Sequence, residues 1–290
     1  MIKKIGKWIL ILSGSLVAIA LVMYAIVYVK TQSRINKAYA VNIKTLQIPD
    51  DSVSYARGMK IATNRGCMGC HGTDLGGGRA FLDEHNPVGV LYAANITSGN
   101  GGLQFKDADW IRVLRHGLGK DNKSVWLMPS QDIYEISNQD MGDLLHYVKS
   151  APPVDRIVPQ KSIKPLGRFL LFTNKFPLLP AEMINQNAVV PDSIAVTVSA
   201  TYGRYLATTC QGCHSANLRG AASHEPGGIS PPNITASGEV GKWKAEDFMA
   251  VFQKGITPQG RKLNEGMPWD KFTYSEKELK AIYLYLKSLK

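Results

Sequence analysis

Hydrophobic and polar positions divide this chain before any single side chain is considered. From Ile9 to Val29 there are twenty-one residues without a charge, twelve of them Leu, Ile or Val. At about 1.5 Å per residue such a run spans the ~30 Å hydrocarbon core of a bilayer. Downstream the pattern changes to short amphipathic stretches. Tyr55 to Arg65 predicts a helix ending at Gly66. Asp107 to His116 carries Trp110, Val113 and Leu114 on one face and meets Gly117 at its C-terminal stop. Ser137-Asn-Gln-Asp140 has the form of a capping box with Asp in place of Glu. It opens a helix containing Met141, Leu144, Leu145 and Val148 that ends before Pro152.

The second half repeats this order. Tyr202 to Thr208 reads as a helix, Trp243 to Lys254 as another stopped by Gly255, and Ser275-Glu-Lys-Glu278 as a full capping box before the last. Asn233-Ile234-Thr235 echoes Asn95-Ile96-Thr97, and Met267-Pro268 echoes Met128-Pro129. The offsets are 138 between the asparagines and 139 between the methionines. Two units make a tandem duplication, short of a repeat array. The expected organisation is an anchor at 1–30, a tether at 31–51, a first domain at 52–151, a connector at 152–200 and a second domain at 201–290. The connector holds seven prolines, so little regular structure is expected there, yet its Phe169–Phe172 and Phe176–Leu179 runs are too apolar for a solvated tether. It is read as a segment packed over both domains.

The net charge is +11, but residues 1–30 hold four of the lysines and no acid, leaving +7 on the remainder. No nucleic-acid-binding signature accompanies this basic balance. Lys3, Lys4 and Lys7 precede the apolar run and Lys30, Arg34 and Lys37 follow it, so flanking charge does not fix its orientation. Ala38-Tyr39-Ala40 looks like a signal-peptide cleavage site. The apolar run is longer than a signal h-region, however, and those alanines lie well beyond it, which favours a retained anchor.

Chemistry enters through the cysteines. Cys67-Met68-Gly69-Cys70-His71 and Cys210-Gln211-Gly212-Cys213-His214 use all four of them, with the two histidines 143 residues apart. C-x-x-C-H is the pattern of covalent haem attachment: the two thiols reach the vinyl groups and the imidazole follows as proximal ligand. A zinc ribbon would space the pairs about 15–20 residues apart, and a thioredoxin-like pair would sit in a βαβ unit. Two disulfides would leave the histidines unexplained. The cofactors implied are two covalently bound haem c groups.

Each haem of this kind needs a second axial ligand. Met128 and Met267 each sit in a Met-Pro pair before the last helix of their repeat, and a thioether opposite His raises the potential. Met59, Met141 and Met249 fall on helices where core packing accounts for them, and Met183 lies in the connector. His85, His116, His146 and His224 are the candidates for bis-histidine ligation. Pro87, and Pro226 or Pro231, are candidates to offer a carbonyl to the proximal imidazoles. Between residues 155 and 175 the connector also carries Arg156, Lys161, Lys164, Arg168 and Lys175 against Asp155 alone, a basic rim suited to steering a membrane partner.

From about Tyr55 to Lys290 these residues resemble the dihaem class I cytochromes c. The resemblance is carried by the two C-x-x-C-H motifs, the Asn-Ile-Thr segments, the Gly-stopped helices and the Met-Pro pairs. Pro231-Pro232-Asn233-Ile234-Thr235, Gly241-Lys242-Trp243, Gly260-Arg261 and Met267-Pro268 are more closely similar to the membrane-bound cytochrome c subunits of bacterial alcohol, aldehyde and gluconate dehydrogenases. Those subunits usually carry three motifs and attach through the C-terminus, and this chain departs from both. The resemblance implies a mainly α fold, an N-terminal transmembrane helix followed by two tandem class I cytochrome c domains. His71/Met128 and His214/Met267 would be the axial pairs.

The implied function is electron transfer between a membrane-associated dehydrogenase or quinol-oxidising partner and the respiratory chain, without substrate chemistry of the chain's own. The expected setting is a single pass through the bacterial inner membrane, with the haem domains on the periplasmic or outer side. Delivery to a terminal oxidase is the alternative. A dihaem peroxidase or thiosulfate dehydrogenase is a third reading, which would need an open axial position.

Overall fold

The computed structural model describes residues 2–222 and 230–290. His224 and Pro226 lie outside the described residues. The fold is mainly helical. Helix α1 (Ile2–Asn36) contains the apolar run and, among the described residues, is the helix long and apolar enough to cross a membrane. It continues past position 30. Thr31 is fully buried, and Arg34 forms an ion pair of 2.6 Å with Glu182 of the connector. The expected tether is also laid down on the protein. The Tyr39 N–H donates to the Asn122 carbonyl at 3.0 Å, and Ile43, Leu46 and Ile48 pack against the first core.

In the first repeat, α2 (Ser52–Asn64) starts where the Asp51 carboxylate accepts from the Val53 and Ser54 N–H groups. A short helix α3 (Cys67–His71) follows, then strands β1 (Ala80–Leu82) and β2 (Gly89–Tyr92), α4 (Asp107–His116) and α5 (Asn138–Lys149). Gly117 ends α4 in the left-handed conformation its position foretold. Ala62, Trp110, Leu114, Met141, Leu144 and Leu145 form the centre of the core.

The connector folds, contrary to the reading of its prolines. Strand β3 (Ser162–Ile163) pairs with β2 to complete a three-stranded antiparallel sheet in the order β1-β2-β3. Helix α6 (Pro165–Phe172) begins with proline at its first turn, where no N–H is needed. Leu171, Leu178 and Leu179 join Leu91 in a third cluster against the first repeat, with Ile35 of α1 packed on it. The basic rim is largely consumed. Arg156 pairs with Asp74 at 2.9 Å, Lys164 donates to the Glu84 and Asn86 carbonyls, and Lys161 lies over the Trp126 ring. Arg168 turns inward to Thr31 and Gln32.

The second repeat contains α7 (Ala200–His214), α8 (Ala245–Lys254) and α9 (Glu276–Ser288) around Leu218, Trp243, Phe248, Ile282 and Leu286. Its construction copies the first in detail. Glycine permits the same close helix contact in both: a Cβ on Gly58 would lie 2.0 Å from the Asp143 carbonyl, and one on Gly203 1.9 Å from that of Ala281. Gly58 precedes Cys67 by nine residues, whereas Gly203 precedes Cys210 by seven. The two extra residues are Arg65 and Gly66, with Gly66 left-handed (φ 73°). They break α2 from α3 where α7 runs straight through its motif.

The repeats dock through matching faces. In this alignment Lys60 corresponds to Tyr205, and Asp140 to Glu278. Lys60 reaches Glu278 at 2.5 Å, while the Tyr205 hydroxyl donates to Asp140. In each repeat the helix that leads into the motif thus touches the capping residue of the other repeat's last helix, the geometry of a pseudo-two-fold axis. Arg65 lies across this junction. Its guanidinium donates to the Asp132 carbonyl at 3.1 Å, to Thr208 Oγ1 and to the Tyr205 carbonyl at 3.3 Å.

Candidate functional site

Both motif histidines are buried, His71 at 8% exposure and His214 at 7%. His71 Nδ1 donates to the Ala94 carbonyl at 2.8 Å, and His214 Nδ1 to the Pro232 carbonyl at 2.8 Å. A carbonyl can only accept, so the ring proton sits on Nδ1 and the Nε2 lone pair is left for a metal. Burial lowers the pKa of both imidazoles, overcoming the carbonyl contacts that act the other way, and so keeps that lone pair free. The residues expected to offer the accepting carbonyls were Pro87 and Pro226 or Pro231. Instead, the residue immediately before each Asn-Ile-Thr segment serves.

The reason lies in how that segment is pinned. Asn95 Oδ1 accepts from the Thr97 N–H (3.0 Å) and hydroxyl (2.8 Å), and Asn233 Oδ1 does the same for Thr235 at 2.9 and 2.8 Å. The Ile96 N–H donates to the Leu75 carbonyl at 3.0 Å, as Ile234 does to Leu218. The loop after each motif and the Asn-Ile-Thr turn therefore lock together and aim one carbonyl at the imidazole.

In the first repeat a cavity of about 530 Å³ opens beside His71. Cys67, Cys70 and His71 line it, and so do Met128 and Pro129. Phe105, Trp110, Leu114 and Trp126 make its apolar walls, and the connector supplies Val158 to Lys161. A large apolar space bounded by two thiols, a neutral imidazole and a thioether fits a covalently attached porphyrin iron. Haem supplies a one-electron ferric/ferrous couple when bound. The residues present would hold it by the two sulfurs, with the Ala94 carbonyl orienting the imidazole and the aromatic walls excluding water.

Met128 is held by an unusual backbone. Leu127 is left-handed (φ 59°), and its N–H donates to the connector's Leu178 carbonyl at 2.8 Å. Across the proline, the Ser130 N–H donates back to the Met128 carbonyl at 2.7 Å, closing an inverse γ-turn at Pro129 (φ −77°, ψ 55°). Met267 sits in the same turn: the Trp269 N–H donates to its carbonyl at 2.8 Å, and Pro268 has φ −80°, ψ 54°.

In the second repeat the same residue types are placed as follows. Cys210 packs on the second core, Cys213 is exposed and Met267 is half-buried. Trp243 Nε1 is buried with no hydrogen-bond partner among the described residues, a donor suited to an acceptor carried by a bound group. Burial pushes the free thiols of Cys67 and Cys210 up to about 11, and the Arg65 charge opposes this at both. Of the spare histidines, His116 contacts Gln186 and His146 contacts Ser54, while His85 is exposed; none of the three lines the cavity.

Residues 55–152 and 200–290 each match the cytochrome c family, together well over half of the chain. The chain belongs to the cytochrome c family. No curated protein matches it. It is a cytochrome c electron carrier with two such domains, each holding its own C-x-x-C-H motif, which implies haem c. Sequence reasoning missed three parts of the cytochrome site: the Ala94 and Pro232 carbonyls, the connector wall at 158–161, and Arg65. The first had a signal, because the same tripeptide follows both carbonyls.

Proposed function

We propose that this cytochrome binds two haem c groups covalently, at Cys67/Cys70 and Cys210/Cys213, with His71/Met128 and His214/Met267 as axial pairs. It relays electrons between a membrane-associated dehydrogenase or quinol-oxidising partner and the respiratory chain. Helix α1 is retained as a single-pass anchor in a bacterial inner membrane, with both haem domains on the periplasmic or outer side.

The observation that carries the reading is the cavity that gathers Cys67, Cys70 and His71 with Met128. The identical turns at Met128 and Met267 extend it to the second domain. Retention of α1 is supported by the buried Thr31 and the Arg34–Glu182 ion pair, which cleavage after Ala40 would remove.

The test is expression with a working haem-attachment system. The denatured chain should retain the mass of two porphyrins, and Cys67→Ala/Cys70→Ala should retain one. Met128→Ala and Met267→Ala should each remove one methionine–iron band at the red end of the spectrum and lower one potential. A variant that keeps both bands and both potentials overturns the ligand assignment.

A further inference from the structure

Helix α6 has more to do than close the connector. One side is fixed to the first domain: Gly167 lies so close to the Val88 carbonyl that a Cβ would sit 2.1 Å from it, and Leu171 is fully buried. A second side is fixed to α1. Arg168 is buried, lies 4.2 Å from the Tyr28 ring, and donates to Thr31 Oγ1 at 3.1 Å and Gln32 Oε1 at 2.9 Å. The third side is apolar and uncovered, with Leu166 at 45%, Phe169 at 53% and Phe172 at 41% exposure on successive turns. A helix facing water would place charged or polar side chains there.

The place of contact on α1 decides what covers this side. Tyr28 and Val29 end the uncharged run, and Lys30 begins the polar segment. With α1 crossing a bilayer, that point lies at headgroup depth, where aromatic rings and basic side chains concentrate. Helix α6 is therefore held beside the anchor at the height of the lipid surface. Exposed Lys30 and Lys175 flank it, suited to anionic headgroups.

We infer that α6 is a lipid-binding foot whose Leu166, Phe169 and Phe172 enter the bilayer interface beside the anchor. The inference rests on α1 being a retained membrane span. Two attachments, a spanning helix and a foot, fix the tilt and rotation of the first domain, and with them the height of the cavity above the membrane.

Lipid photocrosslinking on the complete, haem-loaded protein tests this. The protein is reconstituted into phosphatidylcholine/phosphatidylglycerol vesicles containing a phospholipid with a diazirine near the glycerol backbone, or one with it at the acyl chain end. Trypsin then releases peptides 8–30, 169–175 and 245–254. The chain-end probe is expected on 8–30, the interfacial probe on 169–175 at severalfold the yield on 245–254, and neither above background on the last.

Labelling of 8–30 with no excess on 169–175 overturns the foot and leaves the anchor standing. No lipid adduct on 8–30 overturns the anchor, and the foot with it. Peptide 169–175 unlabelled in vesicles but shielded in native membranes assigns the face to a protein partner and also overturns the proposal.

Discussion

Removing one hydroxyl, Tyr205→Phe, tests how the two domains are joined. In α9 the helix start is self-sufficient: the Ser275 N–H donates to Glu278 Oε2 at 2.6 Å, closing the capping box. In α5 the residue at that position is Asp140, one methylene shorter, and it does not reach back. The Tyr205 hydroxyl from the other domain fills the gap, accepting from the Ser137 N–H at 2.9 Å and donating to Asp140. Phenylalanine keeps the ring on the first core but leaves the Ser137 N–H without an acceptor and Asp140 without this donor. A hydrogen bond to a charged group contributes about 1.5–3 kcal/mol, and a stranded buried donor costs about 1–3 kcal/mol. The two overlap, so we predict about 2.5 kcal/mol in total, roughly 60-fold in the folding equilibrium.

Lys60→Met at the corresponding position breaks only a partly exposed pair with Glu278 and leaves that capping box intact; about 0.5–1 kcal/mol is expected. Guanidinium unfolding followed by circular dichroism, with hydrogen exchange at the Ser137 amide, measures both. Asp140→Glu should recover most of the loss in the Tyr205→Phe background, because Glu can close the box itself. Should Tyr205→Phe cost no more than Lys60→Met, or Asp140→Glu fail to rescue it, the borrowed-cap argument is wrong.

Three further predictions follow from the packing. Gly58→Ala and Gly203→Ala each drive a Cβ into a backbone carbonyl and should cost about 3 kcal/mol or more, read as a fall in thermal midpoint; an unchanged midpoint would refute the close helix contact. Burial alone would raise the Glu278 pKa, but Lys60 and Ser275 together hold it below the ordinary value. Its stabilisation is therefore complete above the unfolded carboxylate pKa and lost as pH falls through the depressed one. Glu278→Gln should flatten that part of the acid-stability curve, and an unaltered curve would count against the pairing. Deleting residues 1–40 removes the partners of Arg168 and Glu182 and should accelerate tryptic cleavage after Arg168 and Lys175, whereas equal rates would show that α1 does not brace the connector.

Local signals in the sequence were reliable where one residue dictates the backbone. Asp107–His116 ends at Gly117 as read, and Ser137 and Ser275 both cap helices. The motif histidines and the Met-Pro turns recur with the same backbone contacts in both repeats. What the sequence hid depends on distance in the chain. Proline counting argued against structure in the connector, yet Pro165 starts a helix whose Leu171 is buried in a cluster with Leu91 of β2, Leu178 and Leu179, with Ile35 of α1 packed on it. The connector cations looked like a surface rim because their partners, Asp74, Thr31 and two carbonyls, lie 78 to 137 residues away. The interdomain pairs became legible once the Arg65-Gly66 insertion was aligned, which the 143-residue histidine spacing conceals.

The matched docking faces have one more consequence. A contact in which each module offers the same surface closes on itself, so neither half keeps a free copy of that surface to recruit a third. Growth into chains of modules is blocked by geometry, with no repulsive charge required. Traffic to and from other proteins must then use the remaining faces. In the first domain the cavity, lined in part by Phe81, Trp126 and the Val158–Lys161 stretch, is one such doorway that the self-closing contact leaves unspent.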